Sequence, residues 1–170
     1  DSLKTRNLII ERIFEAVSEH DNFLMIGHKD PDEDCISSMI AMALLINKFA
    51  KTVYLMIPRK INENFQYLLN ISRFNDIGII YNDQEPPKNI STVFIMDTPK
   101  PDMIESFPGS TAVMENKGII KIEIDHHLGA DSAYSGDRGY CLVDEASSAS
   151  ELVGLLAFKL DNYSEMVEAF

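Results

Sequence analysis

The sequence predicts an α/β fold in three layers, a mostly parallel sheet flanked by helices. Three observations predict it. Short apolar runs alternate with segments of helical period along the chain. Three of those runs, near 23–28, 92–97 and 119–127, end in histidines or acids. The chain has 170 residues, 45% hydrophobic and 25% charged, enough for one domain with a sizeable core.

From the N-terminus, Leu3, Leu8, Ile9, Ile13, Phe14 and Val17 recur at helical spacing, so 3–19 is an amphipathic helix, and Asp21-Asn22 break it. Phe23 to Gly27 is an apolar strand that runs into His28 and the polar cluster Lys29 to Asp34. Ile36 to Phe49, rich in Ala, Met, Leu and Ile, is a buried helix. Thr52 to Ile57 is a strand closed by Pro58, Asn62 to Leu69 is helical, and Ile77 to Tyr81 is a short strand. A polar loop, 82–89, leads to the strand Thr92 to Met96 and then Asp97. Pro99, Pro101 and Pro108 mark a turn-rich stretch with one helical turn at 102–106. Ile119 to Ile124 alternates and is β-branched, and it ends on Asp125-His126-His127. Tyr140 to Val143 is a last strand. Ser147 to Leu160 is a helix capped by Ser147 or Ser148 with Glu151 near its third position. Asp161 to Phe170 reads as the start of another helix.

Charge and cysteines narrow the function. A net charge of -12 argues against an extended nucleic-acid surface, yet not against a phosphate-bearing substrate held through metal cations. Cys35 and Cys141 have neither zinc nor disulfide spacing, which favours a reducing, cytoplasmic setting. No apolar run approaches the roughly 20 residues of a membrane span. The Asp1-Ser2-Leu3-Lys4 start is neither an initiator nor a signal peptide, so the chain reads as a processed product or a fragment.

In a parallel α/β sheet, ligands bind beyond the carboxyl ends of the strands. If the three marked strands are neighbours, His28, Asp30, Asp32, Glu33, Asp34, Asp97, Asp125, His126 and His127 converge on one rim. Mixed carboxylates and imidazoles suit Mn, Zn, Fe or Co, and so many acids together call for cations. Taken singly, each group has a structural explanation. The Asp32-Glu33-Asp34 run suits a helix N-terminus, Asp97 a turn before Pro99, and Ser148 with Glu151 a capping box.

Taken together they resemble a family. His28-Lys29-Asp30-Pro31-Asp32-Glu33-Asp34 is similar to the first motif of the DHH phosphoesterases, His-x-Asn-Pro-Asp-Gly-Asp. Asp97 resembles the lone Asp of the second motif, Asp125-His126-His127 the name-giving third, and Ser147 to Glu151 the Ser-rich stretch opening the next helix. The ordered set covers residues 20 to 160. The resemblance implies a Rossmann-like lobe and a phosphoesterase that uses two divalent cations, Mn2+ first with Mg2+ or Co2+ as alternatives. It implies that His28 and Asp32 hold one cation, Asp34 and His126 the other, and that Asp97 bridges both. Asp125 would orient its neighbours, and His127 would face the phosphate. A water activated by the metals would attack phosphorus. Nucleotides or short oligonucleotides are the implied substrates, and a homodimer is one assembly it allows.

The chain departs from the pattern at Asp30, Glu33, Cys35 and Ser37. It has no counterpart of the family's downstream metal-binding Asp or of its Gly-rich second lobe, so 1–170 reads as a first lobe, truncated at its C-terminus. Two other functions compete. One is an inorganic pyrophosphatase of the related type, which keeps Asp-Thr-Asp where this chain has Asp32-Glu33-Asp34. The other is a non-catalytic nucleotide-sensing module that retains the metal site.

Overall fold

A computed structural model describes residues 2–168. Six strands, β1 (Phe23–Ile26), β2 (Val53–Ile57), β3 (Gly78–Tyr81), β4 (Thr92–Met96), β5 (Ile120–Asp125) and β6 (Cys141–Val143), form one sheet in the order β3-β2-β1-β4-β5-β6. Every pairing is parallel. The chain builds outward from β1 to β3, then returns to lay β4 on β1's other side. That reversal makes a topological switch point between the carboxyl ends of β1 and β4.

Among the described residues, five α-helices flank the sheet: α1 (Ser2–Glu19), α2 (Glu33–Asn47), α3 (Gln66–Phe74), α4 (Pro108–Glu115) and α5 (Ala149–Glu168). Strand alternation sorts the core into two faces. Phe23, Met25, Phe94, Met96, Ile122 and Ile124 face the larger core, with residues of α1, α2, α3 and α5. Leu24, Ile26, Val93 and Ile95 face a smaller one with Val113 of α4. Right-handed crossovers running in opposite directions from the switch point put their helices on opposite faces.

β5 breaks the apolar rule on its second face, where Lys121, Glu123 and Asp125 are all buried. The loop after β5 covers them. Glu123 accepts hydrogen bonds from the backbone N–H groups of Ser135 (2.8 Å) and Gly136 (3.0 Å). A side chain at 136 would press on Glu123 and Cys141 at 2.8 Å, so glycine lets this loop close on the strand.

Several expected elements change. The helix expected at 62–69 is a 3-10 turn, Glu63–Phe65, leading into α3, and the turn expected at 102–106 is a 3-10 turn at Pro101–Met103. The Pro-rich stretch contains a helix, α4, because Pro108 occupies its first turn, where its missing N–H costs nothing. The helix after the first acidic cluster begins at Glu33, three residues before the apolar period, with Asp32 as its N-cap. Asp161 starts no new helix: α5 continues through it to Glu168, and 169–170 lie outside the described residues.

Candidate metal centre

The three marked strands, β1, β4 and β5, are adjacent, so their carboxyl ends meet at the switch point. At the end of β1, Gly27 turns the chain into His28. A side chain at 27 would collide with Cys35 and Met39 of α2, so glycine allows α2 to start this close to the strand. His28 Nδ1 lies 2.7 Å from the Lys29 carbonyl and donates to it. Nε2 is thereby left as the lone-pair nitrogen. It sits 3.9 Å from both Asp32 and Asp97.

Asp97 is the hub. It leaves β4 in a left-handed conformation (φ 52°), which Asp tolerates better than most residues. The residue is 1% exposed, and its Oδ1 is buried with no hydrogen-bond partner. That oxygen lies 3.3 Å from His126 Nε2 and 3.6 Å from His127 Nδ1. Its other oxygen is the one facing His28. Burial pushes the Asp97 carboxyl up to about 6, and the negative charges of Asp34 and Asp32 add to the effect against the pull of His127 and His126. An orphaned, buried carboxylate ringed by imidazoles is costly by itself. A cation would repay that cost. Ligands about 2.1 Å from one ion sit about 3.0–3.4 Å apart, close to the Asp97–His126 and Asp97–His127 spacings here.

Asp34, on the first turn of α2, faces two ways. Its Oδ2 is 3.6 Å from His126 Nε2. The same carboxylate accepts from Ala149 N (2.8 Å), Ser150 N (3.1 Å) and Ser150 Oγ (2.7 Å) at the start of α5. Burial works to raise its pKa, but the bonds from Ser150 and Ala149 outweigh it and hold the carboxyl below its ordinary value. Asp32 is the most open of the set. Its side chain is 68% exposed, and its Oδ1 caps α2 by accepting from Cys35 N at 2.9 Å.

Asp125 is buried at the end of β5 and orders the two histidines after it. Its Oδ1 accepts from the His126 N–H at 2.9 Å and from His127 Nδ1 at 2.6 Å. His127 Nε2 is then the nitrogen left for other partners. Burial tends to lower the His127 pKa, yet the bond and charge of Asp125, with Asp97 and Asp32, raise it above its ordinary value.

The structure thus brings His28, Asp32, Asp34, Asp97, Asp125, His126 and His127 to one rim. Among the described residues, two groups are compact enough to share an ion, His28 with Cys35 and Asp97, and Asp97 with His126 and His127. Cys35 was not singled out by its spacing. Burial first, then nearby Asp97, Asp32 and Asp34, pushes its thiol far above the ordinary range, so it stands beside the cluster as a neutral group. Ser148 and Glu151 do what a capping box does: Glu151 N donates to Ser148 Oγ, and the Glu151 carboxylate accepts from Ser147 N and Oγ. The bond from Ser150 to Asp34, 116 residues away, has no local signature.

The model of the DHH family N-terminal domain matches residues 22–169. The chain belongs to the DHH family. It is 28% identical over 156 residues to the cyclic-di-AMP phosphodiesterase GdpP of Bacillus subtilis, and 25% identical over 155 residues to the cyclic-di-AMP phosphodiesterase PdeA of Listeria monocytogenes. Each match covers 86% of this chain but only 22% of the relative, so the DHH chain spans about a fifth of those proteins' length. An exopolyphosphatase-related protein from Bacteroides fragilis has the same fold, with a TM-score of 0.62 at 19% identity, covering 92% of this chain and 44% of that one. Among the described residues of this DHH domain, no helix is long and apolar enough to cross a membrane.

Proposed function

We propose that this DHH domain is the metal-bearing part of a phosphodiesterase that hydrolyses a nucleotide diester, with a cyclic or linear dinucleotide as the leading substrate class. The observation that carries the reading is Asp97, a buried carboxylate with an unsatisfied oxygen, set among imidazoles from two other strand ends. Its family membership and its likeness to two cyclic-di-AMP phosphodiesterases support the substrate class.

In this reading His28 and Asp32 would hold one divalent cation, Asp34 and His126 the other, and Asp97 would serve both. Mn2+ is the first choice for this mixed donor set, with Mg2+ and Co2+ as alternatives. Bound cations would supply a more acidic water and offset charge on the phosphoryl oxygens. The chain's own residues do the rest. Asp97, with its carboxyl raised to about 6, is mostly ionised at neutral pH and would meet a cation as the carboxylate. The His28–Lys29 carbonyl bond fixes the nitrogen offered to the site. Asp125 holds His127 by Nδ1 and favours its imidazolium form, whose Nε2 proton would be available to the phosphoryl group or the departing oxygen.

The test is hydrolysis by the full-length protein with Mn2+ of cyclic-di-AMP, the linear dinucleotide pApA, a nucleoside bisphosphate and pyrophosphate. Turnover of a dinucleotide, abolished by Asp97→Ala, is expected. Turnover surviving that substitution would remove Asp97 from the centre, pyrophosphate as sole substrate would move the domain to the pyrophosphatases, and binding without turnover would make it a sensing module.

A further inference from the structure

Beside the metal centre, at the carboxyl ends of β2 and β3, lies a cavity of about 300 Å³ bordered by Asp30, Arg59, Lys60, Asn82, Glu105 and Phe107, with Pro58 and Asp83. We propose that it is a nucleoside subsite in which Arg59 is the stacking plate. The proposal rests on the phosphodiesterase reading and says where the nucleoside next to the scissile phosphate sits.

Position comes first. Ile26 pairs with Met56 in the parallel register, so the chain just past β2 runs beside the chain carrying His28. Neighbouring strands are about 4.8 Å apart, and Asp30 lines the cavity two residues from His28 and from Asp32. A nucleoside attached to a phosphate on the rim reaches that far. The volume matches the lower end of small-ligand pockets, about 300 Å³.

Chemistry decides the occupant. Three carboxylates, Asp30, Asp83 and Glu105, border the cavity against two cations, Arg59 and Lys60. Asp83 already takes Arg59 Nε at 2.6 Å, and Glu105 already takes Asn82 Nδ2 at 2.6 Å. A second phosphate is therefore poorly matched. A neutral group that donates hydrogen bonds, such as a ribose or the exocyclic amine of a base, is well matched to the remaining carboxylate oxygens. The flat surface is Arg59. Its guanidinium carbon lies 4.8 Å from the centre of the Tyr81 ring, and its Nε donates to Asp83. Arg59 borders the cavity and Tyr81 does not, and the Arg59 side chain is 56% exposed, so the guanidinium is open to a base from the cavity side. Bases stack on such guanidinium planes in single-stranded recognition.

The test compares full-length wild type with Arg59→Ala and Arg59→Lys. Equilibrium dialysis with adenosine in EDTA measures the subsite without the cations. The ratio of kcat/KM for pApA to that for bis(p-nitrophenyl) phosphate, a diester without a nucleoside, measures it in turnover. Wild type retains adenosine, and Arg59→Ala weakens it roughly tenfold, within the range known for base stacking. The preference for pApA falls by a similar factor. Arg59→Lys behaves like the alanine variant, because it keeps the charge and loses the plane. No retention of adenosine by wild type, equal retention by Arg59→Ala, or recovery by Arg59→Lys would each overturn the proposal. If wild type cleaved neither diester while Arg59→Ala still lost adenosine, the phosphodiesterase reading would fall and the subsite would stand.

Discussion

Asp34→Ala should destabilise the metal-free protein by about 2–3 kcal/mol. Asp34 accepts three hydrogen bonds at the start of α5, two from backbone N–H groups and one from Ser150 Oγ. Losing a helix N-cap costs about 0.5–2 kcal/mol, and a hydrogen bond to a charged group contributes about 1.5–3. The bonds share one carboxylate whose side chain is 23% exposed, so water recovers part of the loss and the sum stays below simple addition. Asp34→Asn keeps one acceptor and should lose about half as much. The assay is urea unfolding in EDTA, which removes any metal contribution. For a domain of this size the alanine variant should also melt roughly 5–10 °C lower. The pH dependence has a definite sign. Because the Asp34 pKa is depressed in the fold from an ordinary 3.8, its stabilisation is complete above that value and is lost as pH falls through the lower folded value. The gap between wild type and variant should therefore be flat from pH 7 to 5 and narrow below about pH 4. An Asp34→Ala protein within about 0.5 kcal/mol of wild type at pH 7 would refute the capping role.

Other substitutions separate stability from function. Asp97→Asn should stabilise the metal-free protein at pH 7 by about 1–3 kcal/mol while removing Mn2+ binding. The Asp97 pKa is raised in the fold to about 6, so its carboxylate costs stability increasingly as pH rises from 3.8 through 6, and asparagine removes that cost. Unfolding curves at pH 4 and 7 check the trend, and a variant no more stable than wild type at pH 7 would contradict it. Asp125→Asn should lower kcat about 10- to 100-fold and move the His127 limb of the pH–rate profile to lower pH, since Asp125 raises that pKa. An unmoved limb would detach Asp125 from His127.

The sheet was legible because its central strands are short apolar runs with clear punctuation, Asp21-Asn22 before β1 and Pro58 after β2. The site was legible because three of those runs end in ligating residue types, and parallel neighbours must then share a rim. α4 was hidden because Pro108 and Gly109 read as a turn, although proline is also a good first helical residue. The double use of Asp34 was hidden for a different reason: a cap supplied from 115 residues away leaves no pattern around the helix that it caps. The Arg59 plate was equally out of reach, since Tyr81 and Asp83 meet it only once β2 and β3 pair.

Anomalous diffraction from crystals of the full-length protein grown with Mn2+ addresses the proposed metal centre. Two manganese peaks should appear, both within about 2.3 Å of Asp97 oxygens, one also bonded to His28 and the other to His126. Density absent from this rim at full Mn2+ loading, or peaks that leave Asp97 uncoordinated, would contradict the assignment.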